Sequence, residues 1–197
     1  METQTIPGYT FGSSLVERAP ITLDEFEKIK KSALFSDEDV KFLKMSYDVL
    51  EDQVDAILDV WYGFVGSNDF LVYYFTDKAN GEPNTEYLNA VRKRFSQWIL
   101  DTAKAEYDQN WLDYQFEIGR RHHRTSKNKT DVVDSVESIN FRYLVPLIIP
   151  ITTTLKPFLE KKGHSAEAVE KMHAAWVKSV VIQVTLWSYP YIKEGDF

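Results

Sequence analysis

The four histidines are the side chains of this sequence best suited to bind a metal ion, because the chain contains no cysteine. They are His122, His123, His164 and His173, and no two of them have the spacing of the HxxxH or HExxH zinc motifs. The sequence also lacks a glycine-rich phosphate loop and the GxSxG motif of a nucleophilic serine. Acid–base and nucleophilic enzymes therefore have no support among its motifs, and a site built on a single histidine is left to consider.

Helical phase separates the neighbouring residues His122 and His123. In a helix, His122 lies on the same face as Ile118 and Tyr114, whereas His123 points in another direction. An inward imidazole has two explanations. It is either a core histidine whose nitrogen bonds to a backbone carbonyl, or the single axial ligand that five-coordinate haem iron requires. Taken alone, His122 favours the first explanation.

Three aromatic residues support the explanation that His122 is an axial ligand of haem iron. Trp61, Tyr62 and Phe95 lie on predicted helices and could line an apolar, acid-free cavity that faces His122. Ordinary core packing accounts equally well for each of them taken singly. The chemistry therefore depends on whether the helices that carry these residues enclose a cavity.

The elements that carry these side chains are all predicted to be helices. Apolar residues recur at steps of three and four over residues 40–64 and again over residues 88–102. A capping box at Thr22 marks the first helix start, and no stretch of any length alternates as a β-strand does. We expect an all-α protein of seven or eight helices, with an irregular arm over residues 1–20 and one domain over residues 21–197.

Two apolar stretches near the C-terminus carry further expectations. Residues 139–159 are predicted to form an apolar helix that is interrupted by Pro146, Pro150 and Pro157, since a proline inside a helix removes a hydrogen bond and bends it. Between Ala174 and Trp187 only Lys178 is charged. A helix that is apolar on nearly all sides must be covered on several of them, which predicts contact with another subunit.

Composition narrows the class of protein. With 23 Lys+Arg against 30 Asp+Glu, the chain of 197 residues has a net charge of −7 and no long basic block. Binding to duplex nucleic acid is not expected, since it depends on clustered cations. An apolar fraction of 44 % is sufficient for the core of one domain. Because there is neither a signal peptide nor an apolar run of about 20 residues, we expect a cytoplasmic protein that does not span a membrane.

Several long motifs in a fixed order give the sequence a resemblance to protoglobins, single-domain haem proteins of archaea and bacteria that are similar to the sensor domain of globin-coupled sensors. The motifs are Trp61-Tyr62-Gly63-Phe64-Val65-Gly66, Val91-Arg92-Lys93-Arg94-Phe95, Trp98-Ile99-Leu100-Asp101-Thr102, Trp111-Leu112-Asp113-Tyr114-Gln115, His122-His123-Arg124 and Trp187-Ser188-Tyr189-Pro190-Tyr191. The resemblance extends over essentially the whole chain. It implies a globin-like fold with an extra N-terminal helix, an N-terminal arm that helps to bury haem, and a homodimer formed through the two C-terminal helices.

The resemblance also assigns roles to individual residues. His122 becomes the axial ligand of the haem iron, with Trp61, Tyr62 and Phe95 on the opposite, distal side. Arg94 would bind a haem propionate, although a position on the solvated surface explains this residue almost as well. The remaining wall of the haem pocket would be formed by Ile139, Leu144, Leu147 and Ile151.

One position departs from the family pattern. Leu147 stands where phenylalanine is common in protoglobins, and Pro146 precedes it. A smaller side chain at this position predicts a larger distal cavity, because neighbouring groups refill the lost volume only in part.

The function implied by the resemblance is non-covalent binding of haem b and reversible binding of oxygen, carbon monoxide or nitric oxide, as a gas sensor or carrier. Tyr62 would donate its O–H to the bound gas. The alternative is a haem enzyme that acts on peroxide, nitrite or nitric oxide, or that transfers a carbene to an alkene. Peroxidases usually require a distal acid–base pair, and this pocket would offer only a phenol and an indole. A third candidate is an interaction module without a cofactor, which an absorption spectrum would distinguish.

Overall fold

The computed structural model describes residues 6–197, so the first five residues of the expected arm lie outside it. Over this range the chain forms seven α-helices of ten residues or more, two α-helices of four residues and no β-strand. It also forms two short 3-10 helices, Tyr73–Phe75 and Tyr189–Tyr191. The helices are α1 (Leu23–Ser32), α2 (Asp37–Leu50), α3 (Val54–Gly66), α4 (Asp69–Val72), α5 (Thr85–Lys104), α6 (Gln109–His122), α7 (Phe141–Leu144), α8 (Ile148–Leu159) and α9 (Ala166–Trp187). The all-α prediction is confirmed. Among these helices, none is both long enough and apolar enough to cross a membrane.

Local sequence signals fix where the helices begin. The predicted capping box is present at the start of α1, where Thr22 Oγ1 accepts from the Glu25 amide and the Glu25 carboxylate accepts from the Thr22 amide at 2.7 Å. Asn84 caps α5 through its side chain. Asp108 caps α6 by accepting a hydrogen bond from the Trp111 amide at 2.8 Å. This start matters for the site, because α6 continues without interruption to His122, and its helical geometry determines the direction in which that side chain points.

The predicted helix over residues 139–159 is divided into two, α7 and α8. The break contains Pro146, and Leu147 is the residue that precedes the first turn of α8. Pro150 lies within that first turn, where a backbone N–H has no partner inside the helix, and is therefore tolerated. The expected interruption therefore occurs at Pro146, which has no N–H to continue the helical hydrogen bonds, whereas Pro150 and Pro157 leave α8 unbroken.

Helix α9 is the centre of the fold, and it is buried within its own chain. It packs against α2, α6 and α8. Trp176 and Val180 have no solvent exposure, and Val184 is also buried. Packing inside one chain thus explains most of the apolar sequence of α9, although Val181 stays 39 % exposed. The homodimer expected from this helix and from the family resemblance stays a prediction.

Residues 6–20 form no helix and lie along α5 and α6. The rings of Tyr9 and Phe11 both meet the ring of Tyr114 edge-on, with centroids 5.4 and 5.5 Å away. The Tyr9 hydroxyl donates to the Asp101 carboxylate at 2.5 Å, and the Ala19 amide donates to the side chain of Asp113 on α6 at 2.8 Å. Aromatic contacts and hydrogen bonds to charged acceptors therefore hold this irregular segment in place.

Candidate functional site

A cavity of about 240 Å³ lies among α3, α5, α6, α8 and α9. A single buried water needs only about 10–15 Å³ by the same measure, so this space accommodates a much larger ligand. Every site residue expected from the sequence lines this cavity, namely Trp61, Tyr62, Arg94, Phe95, His122, Ile139, Leu144, Leu147 and Ile151. Side chains far apart in the sequence are thus brought together around one space.

The imidazole of His122, at the end of α6, has one fixed nitrogen and one free nitrogen. Nδ1 lies 2.8 Å from the carbonyl oxygen of Ile118. A carbonyl only accepts, so Nδ1 carries the hydrogen, and burial lowers the pKa of His122, which keeps the ring neutral. Nε2 has no hydrogen-bond partner within residues 6–197 and retains its lone pair. This is the protonation state in which histidine binds a metal.

His123 occupies a different environment. Its Nδ1 lies 3.2 Å from the Thr125 hydroxyl, and its ring meets that of Tyr191 edge-on at 4.9 Å. It does not line the cavity. The structure therefore separates the two histidines as their helical phase predicts. The carbonyl bond expected of a core histidine is also present at His122, but it uses only one of the two ring nitrogens.

One side of the cavity, here called the histidine wall, consists of Ile118, His122, Val184 and Trp187. The indole of Trp187 stacks on the imidazole of His122 with ring centroids 5.1 Å apart and planes 14° from parallel. Trp187 Nε1 donates to Gln115 Oε1 at 2.9 Å. Trp187 belongs to one of the family motifs, yet no pattern in the sequence indicates that it contacts His122, because the two residues lie on different helices.

A second side, here called the aromatic wall, is lined by residues of α3, α5, α8 and the break before α8. It consists of Trp61, Tyr62, Val65, Phe95, Leu147 and Ile151. The rings of Trp61 and Phe95 meet edge-on at 5.9 Å. The Tyr62 hydroxyl has no hydrogen-bond partner in the described part of the chain. Burial raises the pKa of Tyr62 to about 12, and the positive charges of Arg92 and Arg94 oppose this rise. The phenol therefore stays protonated at neutral pH and can donate a hydrogen bond.

Three basic residues, here called the cationic end, also line the cavity: Arg94, Arg121 and Lys127. Arg94 is not on the solvated surface, since its side chain is 13 % exposed. It forms two hydrogen bonds to the Asp131 carboxylate, at 2.9 and 2.6 Å. Arg121 pairs with Glu117 at 2.8 Å. Two of the three basic side chains therefore share their charge with a carboxylate of the same chain. Asp131 also lines the cavity, so the expectation of an acid-free cavity is wrong.

Lys127 differs from the two arginines because no carboxylate within residues 6–197 pairs with it. Its Nζ donates to the carbonyl oxygens of Tyr74 and Val136 at 2.8 and 2.6 Å, and to the Asn128 side chain at 3.2 Å. The residue is 3 % exposed, and burial lowers the pKa of Lys127 to about 8. The sequence placed Lys127 in a polar loop without helical periodicity, so no pattern predicted that it is buried.

The N-terminal arm covers the cationic end. The Pro7 carbonyl accepts from Arg94 at 3.0 Å, and the Gly8 carbonyl accepts from Arg121 at 2.6 Å. Gly8 has a φ of +75°, and a Cβ atom there would lie 2.5 Å from Thr130 Cγ2 and 2.7 Å from Arg94 Nη1. Only glycine permits both this conformation and this close approach. The arm thus takes part in closing the cavity.

Comparison with known proteins adds independent information. The model of the family described as Protoglobin matches residues 22–197. The chain belongs to the Protoglobin family. The globin domain of the Geobacter sulfurreducens globin-coupled sensor is structurally similar, with a TM-score of 0.65 and 16 % identity over 85 % of this protoglobin and 97 % of that domain. At this identity, the similarity shows the globin-like fold alone. No curated protein matches the chain.

Membership of the Protoglobin family implies a haem globin, and the residues of the cavity fit that group. A haem needs an axial donor, an apolar surround for the porphyrin and a polar environment for its carboxylates. This protoglobin supplies a neutral imidazole at His122, the apolar side chains of the aromatic wall and the cationic end.

Proposed function

We propose that this protoglobin binds haem b without a covalent bond and reversibly binds oxygen, carbon monoxide or nitric oxide. The observation that carries the proposal is the free Nε2 of the neutral His122 in a largely apolar cavity. Covalent attachment through CxxCH is excluded because the sequence has no cysteine. We place the haem-binding domain at residues 21–197 and the arm at residues 1–20, and we propose a cytoplasmic location.

His122 is the proposed axial ligand, and the cationic end is the proposed site for the propionate carboxylates. Arg94 is already paired with Asp131, so a propionate there would share the guanidinium with that carboxylate. Lys127 brings positive charge without a carboxylate partner among residues 6–197. The wall residues Ile139, Leu144, Leu147 and Ile151 contribute apolar surface to the cavity.

When bound, the haem supplies an iron with one open position for a diatomic gas. The aromatic wall would limit the access of water to a bound gas, because its lining consists of apolar side chains and one phenol. Tyr62 keeps its proton at neutral pH and would donate a hydrogen bond to a ligand that carries partial negative charge. Trp61 and Phe95 restrict the space around the gas through their edge-on contact.

The absorption spectrum of the purified protein tests the proposal. We expect a haem spectrum whose reduced form shifts on addition of carbon monoxide. His122→Ala should lose the five-coordinate ferrous spectrum, and the matched variant His123→Ala should keep it, because His123 does not line the cavity. A protein that takes up no haem, or loss of this spectrum in His123→Ala instead, would contradict the assignment.

The haem enzyme remains the weaker candidate. General acid–base catalysis on a peroxide requires a group able to give and take a proton near neutral pH. Burial raises the pKa of Tyr62 to about 12, so its phenol donates a hydrogen bond but does not act as a base. The aromatic wall contains no histidine or carboxylate.

We also propose a homodimer through α8 and α9, as the family implies. Apolar side chains are exposed on both helices, with Ile149 66 % and Val181 39 % accessible. Val181→Glu should weaken a dimer in sedimentation, whereas Val60→Glu, an equivalent change at an exposed valine of α3, should not. A stable monomer of the unmodified protein at micromolar concentration would refute the homodimer.

A further inference from the structure

Two buried tryptophan–glutamine pairs border the cavity. Trp187 Nε1 donates to Gln115 Oε1 at 2.9 Å, and Trp98 Nε1 donates to Gln183 Oε1 at 2.6 Å. Gln115 is 2 % exposed and Gln183 is fully buried. A buried glutamine needs hydrogen-bond partners, and a buried indole N–H needs an acceptor, so each pair satisfies both requirements. The two pairs are chemically alike but differ in what the indole contacts.

The indole of Trp187 lies against His122, and the indole of Trp98 does not. Trp187 and His122 are stacked with planes 14° apart. Trp98 instead packs at inclined angles against other aromatic rings, with its centroid 5.3 Å from Phe95 and 6.0 Å from Trp187. Only the first pair therefore has a direct influence on the imidazole.

The imidazole of His122 is constrained twice. The hydrogen bond from Nδ1 to the Ile118 carbonyl fixes one edge of the ring. A single hydrogen bond leaves the ring free to pivot about the line between donor and acceptor, because the angular preference at a carbonyl is broad. The flat face of Trp187 removes this freedom, since tilting the imidazole out of its nearly parallel orientation would push one edge of the ring into the indole.

Trp187 is itself held from α6. Gln115, Gly119 and His122 follow one another at steps of four and three, so they share a face of that helix. Gln115 accepts the indole hydrogen bond, and Gly119 lets the backbones approach so closely that a Cβ there would lie 2.8 Å from Trp187 Cα. The same helix face that presents the imidazole therefore also sets the position of the ring stacked on it.

We propose that Trp187 and Gln115 are positioning residues that fix the plane of the His122 imidazole, and with it the direction of the Nε2 lone pair. The inference rests on the proposed function where it concerns haem, because the imidazole plane then determines how His122 meets the iron. The claim that Trp187 and Gln115 hold the imidazole of His122 in one orientation is independent of haem.

The first experiment measures the imidazole plane in the haem-loaded protein. Proton NMR of the ferric cyanide form reports this orientation through the spread of the haem methyl shifts. We expect Gln115→Leu and Trp187→Leu to change the order or spread of these shifts, and Trp187→Phe to restore part of the pattern because it keeps an aromatic face. The matched variant Gln183→Leu should keep the pattern of the unmodified protein, because Gln183 bonds to the indole that does not contact His122.

The second experiment uses the full chain without haem. The stacked indole should shift the ring protons of His122 upfield, and this shift should be lost in Trp187→Leu and kept in Gln183→Leu. Unchanged methyl shifts in Gln115→Leu and Trp187→Leu, equal changes in Gln183→Leu, or no upfield shift in the unmodified protein would each overturn the inference. If the protein takes up no haem but shows the upfield shift, the proposed function is refuted, whereas the claim that Trp187 orients the His122 ring is supported.

Discussion

The two sides of the cavity are held by different kinds of contact. On the histidine wall, His122 bonds to a backbone carbonyl, Trp187 bonds to Gln115, and Gly119 brings α6 and α9 into direct backbone contact. On the aromatic wall, Trp61 and Phe95 meet through ring edges at 5.9 Å. Neither the Trp61 indole nor the Tyr62 hydroxyl has a hydrogen-bond partner in the described range.

This difference implies different responses to change. Directional hydrogen bonds and a tight backbone contact have one satisfactory geometry, and their loss leaves buried polar groups unpaired. Ring and aliphatic contacts are non-directional in comparison and can be remade after small rotations. We therefore expect substitutions on the histidine wall to reorient the imidazole or to lower the free energy of unfolding, and substitutions on the aromatic wall to change ligand binding in graded steps.

The largest effect is expected from the helix crossing at Gly119. Gly119→Ala would place a Cβ 2.8 Å from Trp187 Cα and 2.9 Å from its carbonyl oxygen, so one of the two helices must move. We expect the free energy of unfolding to fall by about 2–3 kcal/mol. Gly63→Ala is the matched control on α3, since no atom lies within 4 Å of its added Cβ, and it should stabilise the protein by about 0.5–1 kcal/mol. Urea denaturation measures both, and similar midpoints would break the comparison.

Lys127 extends the hydrogen-bonded half of the cavity into the loop after α6, and its pKa makes a pH prediction. Burial lowers this pKa from 10.5 to about 8, so between these values the unfolded chain binds more protons than the folded one. The free energy of unfolding should therefore rise with pH over this interval, relative to Lys127→Met, by on the order of 2 kcal/mol. Parallel stability curves for the two haem-free proteins from pH 7.5 to 10.5 would contradict the prediction.

Tyr62 gives a smaller and more selective effect on the aromatic wall. Tyr62→Phe removes a hydrogen-bond donor but preserves the ring, and we expect oxygen to dissociate about tenfold faster, which corresponds to about 1.4 kcal/mol. Carbon monoxide carries less negative charge and should respond less. Flash photolysis and stopped-flow measurements give both rates. Equal changes for the two gases would mean that Tyr62 acts through packing alone.

The smallest effect is expected at Leu147, which is half-buried and packs against the cluster of Trp61, Val65 and Leu71. Leu147→Phe should fill part of the cavity and weaken the binding of imidazole to the haem-loaded protein by roughly threefold. Carbon monoxide affinity should change little because the gas is small. Imidazole titrations of the two proteins decide the matter. Equal or tighter binding by Leu147→Phe would show that neighbouring rings close the space that leucine leaves.

The sequence by itself determined the helices and the phase of the site. The capping box at Thr22 forms both bonds that its local pattern predicts, because a cap involves only residues three apart in the chain. The inward direction of His122, as against His123, follows from helical geometry in the same way. The sequence did not show which proline interrupts the helix over residues 139–159, since Pro146 divides it and Pro157 lies inside α8.

Tertiary structure alone decided what the site residues contact. The pairing of Arg94 with Asp131, the burial of Lys127 and the stacking of Trp187 on His122 each join segments that are distant in sequence or lie in loops without periodicity. The same holds for α9, most of whose apolar residues are covered by three helices of their own chain, while Val181 stays exposed. A pattern of apolar residues shows that a surface must be covered, and only the packing of the whole chain shows what covers it.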